Sequence, residues 1–255
     1  MIKFGEKFAL FLVATITAAF FGAVVLFQFQ WWALVPTFII LGAILYFIVS
    51  HAGVRHFFWW LYGFSELGLL SLFVVVEWPS ALVLITTLGV LGATVIMLWS
   101  RRVAAPIVFV REKPLRRAVS AALALALFGF CAFIEARVVF FPSTFTTIIS
   151  PFIQAGFATL ASFLLWSLYF QARLKDYFVP LSVMGVLIGQ ASLIIGLSSI
   201  GYLAGALIIT WLWYVLQLLM RFHFGNRDII WFKQRKFLVI NAVLFGFFLS
   251  ILRFL

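Results

Sequence analysis

Residues 57–76 read FFWWLYGFSELGLLSLFVVV, and only one of them, Glu66, carries a formal charge. Twenty helical residues rise about 30 Å, the depth of a bilayer's hydrocarbon core. The apolar run is continuous rather than alternating, so it fits a transmembrane helix and not a barrel strand. Backbone hydrogen bonds must close within such a segment, because lipid supplies no partners.

Outward from this stretch the same pattern repeats. Apolar runs at 8–28, 31–50, 80–99, 118–136, 148–170, 178–200, 202–221 and 237–255 join 57–76 to predict nine spans. Composition agrees: 66% of the 255 residues are hydrophobic and 10% are charged. A soluble domain has roughly half and a quarter. The predicted fold class is therefore an all-α polytopic transmembrane helix bundle of about nine spans, forming one integral-membrane domain over 1–255. The longest connections are 100–117, 137–147 and 222–236. The first run is long enough to span and lacks an A-x-A-like end, so it reads as an uncleaved anchor.

Basic residues set the expected orientation. Lys3, Lys7, Arg55, Arg101, Arg102, Arg111, Lys113, Arg116 and Arg117 fall on one side of the predicted membrane. Arg173, Lys175, Arg221, Arg227, Lys233, Arg235 and Lys236 fall on that side too, and only Arg137 and Arg253 fall on the other. The positive-inside rule then puts the N-terminus in the cytoplasm and the C-terminus outside. Short loops suggest a prokaryotic plasma membrane. The net charge of +11 is spread over loop ends, where anionic lipid headgroups explain it better than nucleic acid does. Arg101, Arg102, Arg227, Lys233, Arg235 and Lys236 are the candidate headgroup contacts. Trp31, Trp32, Trp59, Trp60, Trp78, Trp99 and Trp231 lie near span ends, as an interfacial belt requires. Trp211 and Trp213 lie deeper.

A duplication is legible in outline. Ser65-Glu66 and Gly189-Gln190 occupy the middles of the third and seventh spans, and Ala81–Leu84 matches Ala206–Ile209 in position. Halves at 1–110 and 111–222, with 237–255 added, would make a 4+4+1 parallel repeat, an arrangement some transporters use. Gly185/Gly189 and Gly201/Gly205 are small-xxx-small pairs that predict close helix contact. Pro36, Pro151 and Pro180 fall in the first turns of their predicted spans, where a missing N–H is tolerated.

Glu66 is the leading functional candidate. At mid-span it cannot snorkel to either surface, so it must be neutral, paired or facing a wet cavity. A carboxyl so placed can take up and release a proton. Gln190 is predicted at the same depth and is its candidate partner. The bland alternative is interhelical glue. Glu135 and Arg137, near the outer end of the fifth span, are candidates for an outer gate. Two residues apart, they do not face each other on a helix. They instead mark the interface or pair with groups at that level such as Glu77.

Other chemistries are disfavoured. His51, His56 and His223, with Asp228 or Asn226, show no converging metal-ligand spacing, so no metal or other cofactor is expected. There is no H-E-x-x-H zinc motif, no pair of intramembrane aspartates and no mid-membrane lysine. Ser198 and Ser199 have no histidine at their depth to activate them. Cys131, the one cysteine, reads as a small packing residue. Beyond Glu66 and Gln190 the polar set is thin: Gln154, Thr159, Thr210, Gln217 and Asn241. Hydroxyls in spans commonly bond back to their own helix. That lining argues against a wide aqueous channel and leaves two classes. One is a small carrier or flippase for a lipid-like or apolar solute. The other is a non-catalytic subunit or scaffold contacting other membrane subunits.

Overall fold

The computed structural model describes residues 4–26, 31–51, 57–102, 113–169, 174–198, 200–226 and 231–252. These form nine α-helices and no strand among the described residues. They are α1 (Phe4–Leu26), α2 (Trp31–His51), α3 (Phe57–Val75), α4 (Pro79–Arg102), α5 (Lys113–Phe140), α6 (Thr144–Tyr169), α7 (Leu174–Gly196), α8 (Tyr202–Asn226) and α9 (Trp231–Leu252). Every predicted span coincides with one helix. Seven helices meet the length and hydropathy of a membrane span over their described residues. The other two, α2 and α9, contribute the shorter apolar stretches Val35–Phe47 and Leu238–Phe247.

The outer faces confirm the solvent. Phe152 and Ile194 are 74% and 69% exposed, and Phe11, Ile39, Val83, Phe178 and Val243 are exposed as well. Water would not tolerate apolar surface on that scale, so these side chains face lipid. The chain is a multi-pass integral membrane protein of the all-α class. Trp60 and Trp78 are exposed near helix ends, as belt residues should be, whereas Trp99 is buried.

Helix boundaries follow local chemistry. Pro79 opens α4 at its first position, where its missing N–H is one of the unpaired groups in any case. Ser143 caps α6 reciprocally: its Oγ accepts from the Thr146 N–H, and Thr146 Oγ1 accepts from the Ser143 N–H, both at 3.0 Å. This cap starts α6 four residues before the apolar run predicted it. Pro151 therefore sits two turns inside the helix, not in its first turn. The Ser150 hydroxyl donates to the Thr147 carbonyl at 3.4 Å, the acceptor that proline leaves without its usual backbone donor. Pro36 and Pro180 also lie inside their helices. For Pro151 and Pro180 the helix begins four residues before the predicted span, whereas α2 begins at Trp31 as predicted and Pro36 simply lies past its first turn.

The chain divides into two compact units, Met1–Gly129 and Phe130–Leu255, the division falling within α5. In the first unit α1 packs on α2 and α4, and α3 packs on α4. Phe20 meets Phe38 edge-on at 5.1 Å, and Tyr46 stacks on Trp59 at 5.7 Å. α3 also approaches α5 closely. A Cβ built on Gly129 would overlap the Gly68 carbonyl oxygen, and one on Gly68 would overlap the backbone and Cβ of Ala126.

In the second unit α7 packs on α6 and α8. Gly185 and Gly189 face Thr159 and Ala155 of α6, as their spacing predicts. Gly205 lies against Ile195 and Glu135, while Gly201 meets nothing within 4 Å. Two buried indoles tie α6 to α8 in opposite directions. Trp166 Nε1 donates to Gln217 Oε1 at 2.7 Å, and Trp213 Nε1 donates to Ser162 Oγ at 2.9 Å and the Ala158 carbonyl at 3.1 Å. Trp166→Phe or Trp213→Phe strands buried acceptors and is expected to cost about 1–3 kcal/mol each, read as a drop in thermal unfolding temperature. Trp211 Nε1 holds α9 through Asn241 Oδ1 at 3.2 Å.

Candidate functional site

Glu66 occupies the middle of α3 and is 5% exposed. Its carboxyl is walled by residues from three other helices. A Cβ built on Gly89 of α4 would stand 2.6 Å from the Phe21 ring of α1 and 3.0 Å from Glu66 Oε2. One built on Gly92, a turn away, would stand 3.5 Å from Ser65 Oγ, 3.7 Å from Ala122 Cβ of α5 and 3.9 Å from Glu66 Oε1. Two side-chain-free positions on one face of α4 thus open onto the carboxyl. Tyr62 lies one turn earlier on α3 and bonds Thr17 of α1, hydroxyl to hydroxyl, at 3.0 Å.

The electrostatics of this pocket are unusual. Both carboxyl oxygens of Glu66, and Ser65 Oγ beside them, are buried with no hydrogen-bond partner among the described residues. Buried polar groups are nearly always bonded, and a buried charge without a partner is costlier still. Ordinary packing glue would show its bond. Gln190 is exposed on α7.

Glu135 is the second buried carboxyl. It accepts from Gln154 Nε2 at 2.7 Å, within the second unit, and Gln154 is fully enclosed. Arg137 points elsewhere: it is exposed, with its guanidinium 4.8 Å from the Phe141 ring centroid. Glu77 is exposed. Gln154→Leu leaves Glu135 buried without its donor. We expect a double-mutant cycle of Gln154→Leu and Glu135→Leu in thermal stability to give a coupling of about 1–3 kcal/mol; additive effects would remove this bond from the account of stability.

The remaining polar side chains are largely consumed locally. Ser71, Thr86, Thr87, Thr159, Ser162 and Ser167 each donate to the carbonyl four residues back. Gln217 and Asn241 serve the indoles described above. Ser192 Oγ and Thr210 Oγ1 are enclosed without a partner among the described residues. Cys131 is fully buried and free.

Arg235 and Lys236 are exposed at the start of α9. The side chains of Arg101, Arg102, Lys233, His51, His223 and Asn226, and the whole of His56, Arg227 and Asp228, lie outside the described residues. No cluster of three or more His, Cys, Asp or Glu occurs among the described residues.

The Thr17–Tyr62 bond, the approach of the Gly89–Gly92 face to Glu66 and the Glu135–Gln154 pair escape a sequence reading, because each joins residues on different helices. The one signal for them was the cost of a carboxyl inside a span. No family model matches the chain, and comparison with curated proteins and with solved structures finds no similar protein.

Proposed function

We propose that this protein is a small carrier or flippase for a lipid-like or apolar solute, with Glu66 as its proton-responsive group. One observation carries the reading: a carboxyl at mid-span, buried, with neither oxygen hydrogen-bonded among the described residues. A group kept at that cost without a bond has a use other than holding helices together. Protonation would discharge it, and exchange of that proton would couple to movement of the solute. The thin polar lining suits an apolar cargo. In this reading Gln190, exposed on α7, offers the solute a polar contact, and Glu135 with Arg137 guards the outer mouth. Arg235 and Lys236, with the other loop-end cations, would hold lipid headgroups on the cytoplasmic side.

The test is reconstitution into vesicles carrying a fluorescent phospholipid analogue, with transfer between leaflets followed by quenching from outside. Transfer above that of empty vesicles, responsive to an imposed proton gradient and lost in Glu66→Gln, is the expected result. A fully active Glu66→Gln would sink the role of Glu66. The competing reading, a non-catalytic membrane subunit, draws on the hydroxyls bonded back to their own helices. Wild-type vesicles no faster than empty ones would favour it.

A further inference from the structure

The three enclosed oxygens at Ser65 and Glu66 ask for more than a proton. A proton on Glu66 would remove its charge but leave an O–H donor, a carbonyl and the Ser65 hydroxyl without hydrogen-bond partners among the described residues. A hard cation ligated by oxygen satisfies charge and coordination together. We propose that Ser65 Oγ and the Glu66 carboxyl, facing Gly92, bind a small monovalent cation of the sodium class.

Charge sets the valence. Glu66 supplies one negative charge to the pocket, and its titratable neighbour on α3, Tyr62, is engaged with Thr17. From the elements packed around the carboxyl come Phe21 of α1, Gly89 and Gly92 of α4, and Ala122 of α5, none of them charged. A divalent ion would keep an uncompensated charge in a buried site.

Space sets the size. A Cβ built on Gly92 would stand 3.5 Å from Ser65 Oγ and 3.9 Å from Glu66 Oε1, so α4 presents no side chain to these oxygens there. At Gly89 the Phe21 ring closes the other side. Neighbours this near favour an atomic ion over a bulkier organic ammonium. The ion's use rests on the carrier reading, where it would exchange with the proton on the same carboxyl. Its binding is measured without any transport.

The purified full-length chain in detergent is unfolded thermally in sodium, potassium or choline chloride at constant ionic strength. Sodium is expected to raise the unfolding temperature saturably, by about 5 °C, while potassium and choline do not. Gly92→Ala places its methyl at unstrained distances, so it should fold normally and lose the sodium response. Glu66→Gln should lose it too, and Ser65→Ala should weaken the apparent affinity at least about tenfold, the loss of one good ligand. A flat wild-type response would mean that water or a proton alone occupies the space, and overturns the proposal. So does an equal rise in all three salts, or a sodium response kept by both Gly92→Ala and Glu66→Gln. Failed lipid transfer with an intact sodium response would remove the carrier reading and leave the ion site standing.

Discussion

Gly129→Ala is expected to force α3 and α5 apart and to destabilise the first unit by about 3 kcal/mol or more, at the upper end for overpacking. The reason is geometric. The new Cβ would overlap the Gly68 carbonyl oxygen, a backbone atom that cannot rotate away as a side-chain tip can. The helices can respond only by separating, which also strips contacts from Leu72 and Ala126 around the crossing. Gly68→Ala attacks the same contact from the other side and should behave alike, and the two together should be less than additive. Gly63→Ala is the control: it lies on the same helix with nothing within 4 Å, so its effect should be neutral or slightly favourable. The readout is the unfolding temperature by fluorescence-detected size exclusion. Similar curves for Gly129→Ala and Gly63→Ala would show that α3 and α5 do not cross there.

Glu66→Leu is expected to give a protein that is more stable and does not transport. Leucine is somewhat larger than glutamate, but it removes two of the three buried oxygens that lack a partner among the described residues. In sodium-free buffer it should therefore gain about 2 kcal/mol, or about 6 °C in unfolding temperature for a chain of this size. The same substitution removes the only carboxyl in that pocket among the described residues, so leaflet transfer should fall to that of empty vesicles. Opposite movements of stability and activity identify a residue retained for function at the expense of the fold. A destabilised Glu66→Leu would instead mean that the carboxyl is bonded and serves as glue.

The bundle was legible because lipid imposes one demand on every span, about twenty apolar residues, and the chain meets it repeatedly. The importance of Glu66 was legible for the same reason, since a charge violates that demand. What could not be read was rotation. A helix apolar on all sides does not declare which face is inward, so α7 could be placed along the chain while the exposure of Gln190 could not. The same silence hid the Gly68–Gly129 contact: neither glycine belongs to a small-xxx-small glycine pair, and their partners are sixty-one positions apart. Gly201 illustrates the converse, a residue in the right motif whose Cβ position faces no neighbour within 4 Å. The Glu135–Gln154 bond bridges two helices joined by the Ser143 cap, and only the depths of both residues hinted at it. Trp99 sits at a span end yet is buried, because position along a helix fixes depth and not facing.

The shelter around Glu66 also bears on how the chain is made. As α3 leaves the ribosome, α1 is already complete, so Phe21 and Thr17 can be in place to receive it. The Gly89–Gly92 face belongs to α4, which has not yet been synthesised. An acidic residue at the centre of an inserting helix costs about 3 kcal/mol on the biological scale, and the leucines, phenylalanines and valines of α3 together outweigh it. Thus α3 can enter the bilayer unaided, but with one side of its carboxyl open to lipid or to the insertion machinery until its successor arrives. The nascent protein passes through a stage in which its most polar intramembrane atoms are its least protected, and docking of α4 and then α5 ends that stage.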